Sequence, residues 1–409
     1  MNLFADAEQE NRERAKPLAA RMRPKTLAEF CATVRGAPFL AVDTEFVRER
    51  TYFARLCLVQ VASAEHGAVI DMLAPRLDTE PLQALLCDPA IVKVFHSAGQ
   101  DLEIFFRAFG SVLGPVFDTQ IAASVAGHGD QPGYGALVSA ILGERVDKAS
   151  QVTDWALRPL TERQIAYALE DVTHLARLYP ILAAELQRSG REAWIAEEMA
   201  ALVDVSRCDI DPLQAWRRIK LRHATRKALA VLREVATWRE QTAIARDLPR
   251  GWVLRDDALT EIALNAPADE KQLERVRGLK PGFARSADGA AIVSAINRAL
   301  ATPEDWPPAP ERRNGPNADS SLVALLQALL RLRCEAHGVA ARMVATRDDL
   351  ERIAIGAAPE MPVFEGWRRI VFGDDALALC AGRIALTGDG TGVREVTLAA
   401  TDADRGVEA

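Results

Sequence analysis

Residues 38–45 and 56–62 read PFLAVDTE and LCLVQVA. Both are short apolar runs rich in β-forming residues. AVIDML at 68–73 is a third, and polar or charged residues separate the three, so the region predicts a meander of strands. Downstream the pattern turns to helix and strand in alternation: a helix over 79–87, a strand over 91–96 (IVKVFH), a helix over 100–109 (QDLEIFFRAF), a short strand over 115–118 and a helix over 119–126. A mixed α/β domain follows. From about Thr161 onward almost only helical periodicity remains, as in TERQIAYALEDVTHLARLYPILAAELQ, whose apolar residues recur at helical steps.

Asp209-Ile-Asp-Pro marks a boundary, with Pro212 placed where a new helix begins. A second helical region reaches about Leu300. ATPEDWPPAPERRNGPN, residues 301–317, carries five prolines and reads as an extended linker. The third region is helical at first and ends in strand-like pieces (ALALC, RIALTG, REVTLAA). The expected organisation is an N-terminal extension (1–25), an α/β domain (26–206), a helical module (207–300), the linker (301–317) and a second, divergent helical module (318–409).

At 409 residues, 49% hydrophobic and 26% charged, the chain has the balance of a globular protein with two to four domains. No run approaches the ~18 apolar residues that span a bilayer, and MNLFADAEQENRERAKP mixes acids and bases before any apolar segment. A cytosolic protein is expected. Six scattered cysteines without a Cys-x-x-Cys pair argue against a disulfide framework and a thiolate zinc site. The net charge of −7 argues against a protein coated in positive charge, yet Arg207–Arg250 holds 11 Lys/Arg against 5 Asp/Glu. An acidic body with one basic segment needs a reason.

Asp43 and Glu45 lie two apart at the end of a strand, so both carboxylates project on one side. Unpartnered, they repel; a divalent cation with oxygen ligands removes the conflict. Tyr167 and Asp171, four apart on a helix, share a face one turn apart. A tyrosine holds or polarises a water, and the carboxylate beside it holds a metal. Asp101 follows the strand IVKVFH in the first turn of a helix, where a dipole partner is also favourable. Each signal alone reads more simply as a solvated strand end, a packed amphipathic helix or a helix-dipole partner. All of them on one mixed sheet fit a two-metal site for phosphodiester hydrolysis.

The chain resembles the ribonuclease D family of the DEDD exonuclease superfamily, with the tyrosine variant of the third motif. The resemblance is carried by VDTEFVRERTYFARLCLVQVA (42–62), FHSAGQDLEIF (95–105), VFDTQIAASVAG (116–127), YGALV (134–138), TDWALRPLTERQIAYALEDVTHL (153–175) and the WRRIKLR to ARDLPRGWVL region (216–254). It implies a ribonuclease-H-like exonuclease fold. Asp43, Glu45, Asp101 and Asp171 would hold two Mg²⁺ or Mn²⁺ ions, with Tyr167 positioning the attacking water. It also implies a metal-dependent 3′→5′ exoribonuclease that trims structured RNA such as transfer RNA precursors.

Residues 209–295 are similar to the helicase-and-ribonuclease-D C-terminal module, which explains the basic segment; 320–400 resemble a divergent second copy. Arg217, Lys220, Arg222, Arg226 and Lys227 are candidate phosphate contacts, falling at steps that place several on one helical face. Thr44 and His96 are further candidates for nucleic-acid contact, although a histidine at a strand end is more often structural. Arg48, Arg50 and Arg55 fit either substrate contact or solubility. Lys148 and Arg158 flank the TDW segment and are candidates for holding phosphate; Asp118 is assigned no metal. The opening, to about residue 30, is similar to the N-terminus of AAA+ ATPases of replication-associated recombination, but the chain has no G-x-x-x-x-G-K-[ST] phosphate loop. A monomer is expected. The rivals are a DNA 3′→5′ exonuclease using the same carboxylates and a noncatalytic RNA-binding protein.

Overall fold

A computed structural model describes residues 26–111, 113–146, 153–204, 211–222, 224–308, 318–356 and 360–398. The N-terminal extension, Lys148 and much of the expected linker lie outside them. Helix α1 (Leu27–Val34) leads into strand β1 (Phe39–Val47), whose first four residues are all buried. A strand buried on both faces reads as a continuous apolar run, and FLAV is such a run. Then come β2 (Arg55–Ala62), β3 (Gly67–Asp71), α2 (Glu80–Leu86), β4 (Val92–Phe95), α3 (Gly99–Phe109), β5 (Val116–Asp118), α4 (Thr119–Ala126), α5 (Tyr134–Leu142), the long α6 (Glu162–Ser189) and α7 (Glu192–Leu202).

The sheet order is β3-β2-β1-β4-β5. Strands β2 and β3 pair antiparallel, whereas β1/β4 and β4/β5 are parallel, with Phe39 opposite Val92 and Lys93 opposite Val116. Because the three parallel strands end at the same edge, residues at or just after their C-terminal ends are brought together. Lys93, fully buried in β4, is held by the carbonyls of Asp88, Ile91 and Gly114 at 2.7, 2.5 and 2.6 Å. Its charge is thereby accommodated inside an apolar strand. Helix α6 lays Val172, Leu175 and Ala176 on Phe39, Ala41, Ala62 and Val94, so it covers the sheet face to which Ala41 belongs.

The next elements are a 3₁₀ turn (Pro212–Arg218), α8 (Arg226–Arg246), α9 (Arg250–Val253), α10 (Asp256–Asn265), α11 (Glu270–Leu273) and α12 (Ala287–Ala301), packed on a core that includes Val231, Val235, Leu259, Ile262, Ile292 and Ile296. The final segment comprises α13 (Ser320–His337), α14 (Ala341–Val344), α15 (Arg347–Ala354), α16 (Gly366–Arg368), a π-wound turn (Arg369–Gly373), α17 (Asp374–Cys380) and the antiparallel hairpin β6 (Ile384–Gly388)/β7 (Val393–Thr397). ALALC is therefore helix, not strand: Ala376 and Leu379 are its buried face, at helical spacing.

The described chain forms two compact units. One holds the described residues up to Glu45, Leu58–Asp204 and those after Gly315; the other holds Phe46–Cys57 and those between Val205 and Asn314. Within the first unit the final segment is docked on α7. Trp367 stacks parallel on Trp194 with centroids 4.7 Å apart, Arg368 pairs with Glu198, and the Ala340 N–H donates to the Ser124 carbonyl at 2.9 Å. Gly127, at φ 96°, admits the Gly338 carbonyl where a Cβ would stand 2.9 Å from its oxygen. Within the second unit, Glu240, 1% exposed, accepts from the Tyr52 hydroxyl and from Arg250 Nε and Nη2 at 2.7 and 2.6 Å, so a buried carboxylate is fully paired.

Candidate metal and catalytic centre

Carboxylate oxygens of Asp43, Glu45 and Asp171 lie within 4.8 Å of one another. The first two come from the end of β1, where strand alternation turns both to one face. Asp171 is supplied by α6, which a capping box starts at the right place: the Thr161 hydroxyl accepts from the Gln164 N–H, and the Gln164 side chain accepts from the Thr161 N–H. One turn before Asp171, the Tyr167 phenol stands beside the Asp171 carboxylate closely enough that each shifts the other's protonation. Asp101, 8% exposed in the first turn of α3, is engaged from the strand as well, since the Thr44 hydroxyl donates to its Oδ1.

Burial and mutual repulsion disfavour the charged forms. Asp43 is pushed up to about 7 by desolvation and by the Asp171 carboxylate beside it. Glu45 is pushed up to about 9 by desolvation and then by Asp43, Asp171 and Asp101. Asp101 rises to about 8 through burial and Asp43, against the opposing bond from Thr44, and Asp171 to about 7 through burial, against the bond from Tyr167. The Tyr167 phenol is raised too, by burial and by Asp171, and stays protonated. Asp171 Oδ1 is buried without a protein hydrogen-bond partner. Oxygen donors of one charge, half-buried on Asp43 and Glu45 and buried on Asp171, with one oxygen unclaimed, are the donor set of a hard divalent cation.

Other residues of the quoted motifs support the site in ways that their spacing does not show. The Tyr134 hydroxyl, from α5, donates to the backbone carbonyl of Asp171. Asp118 caps α4 and accepts from the N–H groups of Ser97 and Ala98 at 3.1 and 2.8 Å, fixing the turn that starts α3. Trp155 stacks on Tyr167 with centroids 6.1 Å apart. Arg158 forks onto Asp71 at 2.8 and 2.6 Å, an ion pair rather than an open phosphate hook. His96 lies against Tyr134 with Nδ1 3.0 Å from the Thr119 hydroxyl.

The five basic candidates are all exposed. They do not share a helical face, however. Arg217 is in the 3₁₀ turn, Lys220 and Arg222 are in the connection after it, and Arg226 and Lys227 open α8, because Ile219 is extended and Thr225 caps a new helix. Arg217 also bonds Gln214 at 2.6 Å and lies over the Trp216 ring.

A family model described as a 3′-5′ exonuclease matches residues 22–187, and a model of the HRDC domain matches 228–296. With the sheet and its acidic corner, these define a 3′–5′ exonuclease that uses divalent metal, followed by a helical module. The chain is 48% identical over 364 residues to ribonuclease D of Gluconacetobacter diazotrophicus (89% of this chain, 93% of that one). It is 46% identical over 377 residues to that of Granulibacter bethesdensis (92% and 95%). The crystal structure of Escherichia coli RNase D, an exoribonuclease involved in structured RNA processing, matches with TM-score 0.75 and 32% identity over 87% of this chain and 96% of that one. The chain belongs to the ribonuclease D family and is a hydrolytic 3′–5′ exoribonuclease.

Proposed function

We propose that this exoribonuclease trims the 3′ ends of structured RNA, transfer RNA precursors first among them, and releases nucleoside 5′-monophosphates. The observation that carries the reading is the convergence of half-buried Asp43 and Glu45 with buried Asp171 on one corner, with Asp171 Oδ1 unclaimed. Together with Asp101 they would hold two divalent ions, Mg²⁺ or Mn²⁺, which when bound acidify a water and neutralise charge on the scissile phosphate. Tyr167, kept protonated by its surroundings, accepts from and orients the attacking water while its own O–H is directed at the Asp171 carboxylate. Thr44 holds Asp101 at its station.

The acidic centre takes an acidic substrate only once cations reverse its local charge, and the exposed Arg217, Lys220, Arg222, Arg226 and Lys227 supply phosphate attraction elsewhere on the chain. The structured-RNA preference is supported by the Escherichia coli relative. A monomer acting in the cytosol completes the reading; the free thiols of Cys31, Cys57, Cys87, Cys334 and Cys380 are compatible with a reducing compartment.

The test is degradation of a 5′-labelled single-stranded RNA, its DNA analogue and a transfer RNA precursor with Mg²⁺, Mn²⁺ or EDTA, beside folded Asp43→Ala. A metal-dependent ladder shrinking from the 3′ end, absent in the variant, is expected. Undiminished turnover in that variant would remove the metal-site assignment, and faster loss of the DNA analogue would move the substrate to DNA.

A further inference from the structure

We propose that Trp155, clamped by the Arg158–Asp71 ion pair, is a positioning residue that sets the orientation of the Tyr167 phenol. The inference rests on the reading of Tyr167 given above.

Tyr167 is fixed at one end by α6, and its hydroxyl end lies beside the Asp171 carboxylate. Neither fixes the plane of the ring, because a phenol can turn about its long axis without moving its oxygen, and the in-plane directions in which the conjugated hydroxyl donates and accepts turn with it. The Trp155 indole supplies that restraint. It is 3% exposed and faces the Tyr167 ring at 6.1 Å between centroids with planes 29° apart. Offset stacking of this kind restricts the tilt of both rings.

What holds Trp155 is not its own polar atom. Its Nε1 is buried without a protein acceptor, an arrangement that is unfavourable unless the surroundings impose it. The surroundings are the Arg158 guanidinium. Its Nη1 donates to the Trp155 carbonyl and to the Leu157 carbonyl, both at 2.7 Å, while Nε and Nη2 fork onto Asp71 Oδ2 and Oδ1 at 2.8 and 2.6 Å. Asp71 is the last residue of β3, opposite Leu58 of β2, and Arg158 holds its carboxyl below the usual range. A second tie runs from Gln164 Nε2 to the Thr153 hydroxyl at 3.2 Å. A planar fork of this kind transmits position as well as charge. The sheet edge therefore fixes the backbone of 155–158, the backbone fixes the indole, and the indole fixes the phenol.

A tryptophan that merely fills space would affect stability irrespective of what stands at 167, so the test is a double-mutant cycle on the full chain. In the wild-type background, Trp155→Ala is expected to lower kcat on 5′-labelled RNA with Mn²⁺ about 30-fold, with KM changed less than about twofold. In the Tyr167→Phe background the same change is expected to cost less than about threefold. Trp155→Phe, which keeps a ring on the phenol, should recover most of kcat, and Arg158→Ala should reproduce the pattern more weakly. The rise in Tm on adding Mn²⁺ without RNA should match the wild-type rise, because no carboxylate of the acidic corner is touched. Equal losses in both backgrounds, an unchanged kcat in Trp155→Ala, or a raised KM at constant kcat would each overturn the proposal. If Trp155→Ala does not fold, Arg158→Ala carries the cycle in its place, with Trp155→Phe as the control that keeps a ring on the phenol. If Tyr167→Phe alone keeps wild-type kcat, the reading of Tyr167 has failed, which is a different result from additivity in the cycle.

Discussion

Thr44 donates its hydroxyl to Asp101 Oδ1, joining the strand that bears Asp43 and Glu45 to the helix that bears the fourth acidic residue. The bond stabilises the charged form of a carboxylate that burial pushes toward the neutral one. Thr44→Val keeps the shape and removes the donor. It should lower kcat about tenfold and cost about 1–2 kcal/mol of stability, read by single-turnover kinetics and by chemical denaturation. Unaltered kinetics would mean that Asp101 needs no such restraint.

The pH dependence of the metal-free protein should run opposite to that of an ordinary carboxylate protein. The folded-state pKa values of Asp43 and Asp171 (about 7), Asp101 (about 8) and Glu45 (about 9) exceed unfolded values near 4. Between those limits the folded state binds more protons than the unfolded one, so stability falls as pH rises through the window. In EDTA, Tm should drop steadily from pH 5.5 to 8.5, and Mn²⁺ should abolish the drop. A Tm that rises over this range in EDTA would contradict the electrostatic description of the corner.

Tyr134→Phe removes the hydroxyl that reaches the Asp171 carbonyl. The expected cost is about 1 kcal/mol in denaturation, with kcat reduced severalfold because the backbone that carries Asp171 loses a restraint. Equal thermal and kinetic behaviour in variant and wild type would place that hydroxyl outside the support of the site.

In the final segment, Arg368 lies over the Trp367 ring and pairs with Glu198 and Glu197 of α7, with its side chain only 12% exposed. Arg368→Ala should destabilise the docked segment by about 2 kcal/mol and expose 318–398 to limited proteolysis, while kcat on a short RNA stays near wild type. A proteolysis pattern identical to wild type would show that the Trp194–Trp367 stack suffices.

The acidic corner is legible in the sequence because its members sit at spacings with a direct geometric meaning. Two apart on a strand puts Asp43 and Glu45 on one face, and four apart on a helix aligns Tyr167 with Asp171. ALALC is not legible in this way, because five apolar residues fit a strand or a helix equally well, and only packing on the segment's own core selects the helix. Nor is the dispersal of the basic residues, because a charge run carries no record of where a helix breaks, and Thr225 caps a new helix in the middle of it.

The linear order of residues was thus enough to determine the mixed α/β class and the family, and to single out Asp43, Glu45 and Asp171, which the fold brings together, since these depend on local periodicity and on motifs read in order. Folding alone decided which groups hold the motifs in place: Thr44 on Asp101, Tyr134 on the Asp171 carbonyl, and Arg158 between Asp71 and Trp155. Each of these joins elements far apart in the chain, and no period or spacing encodes a contact that exists only after the sheet and α6 have packed.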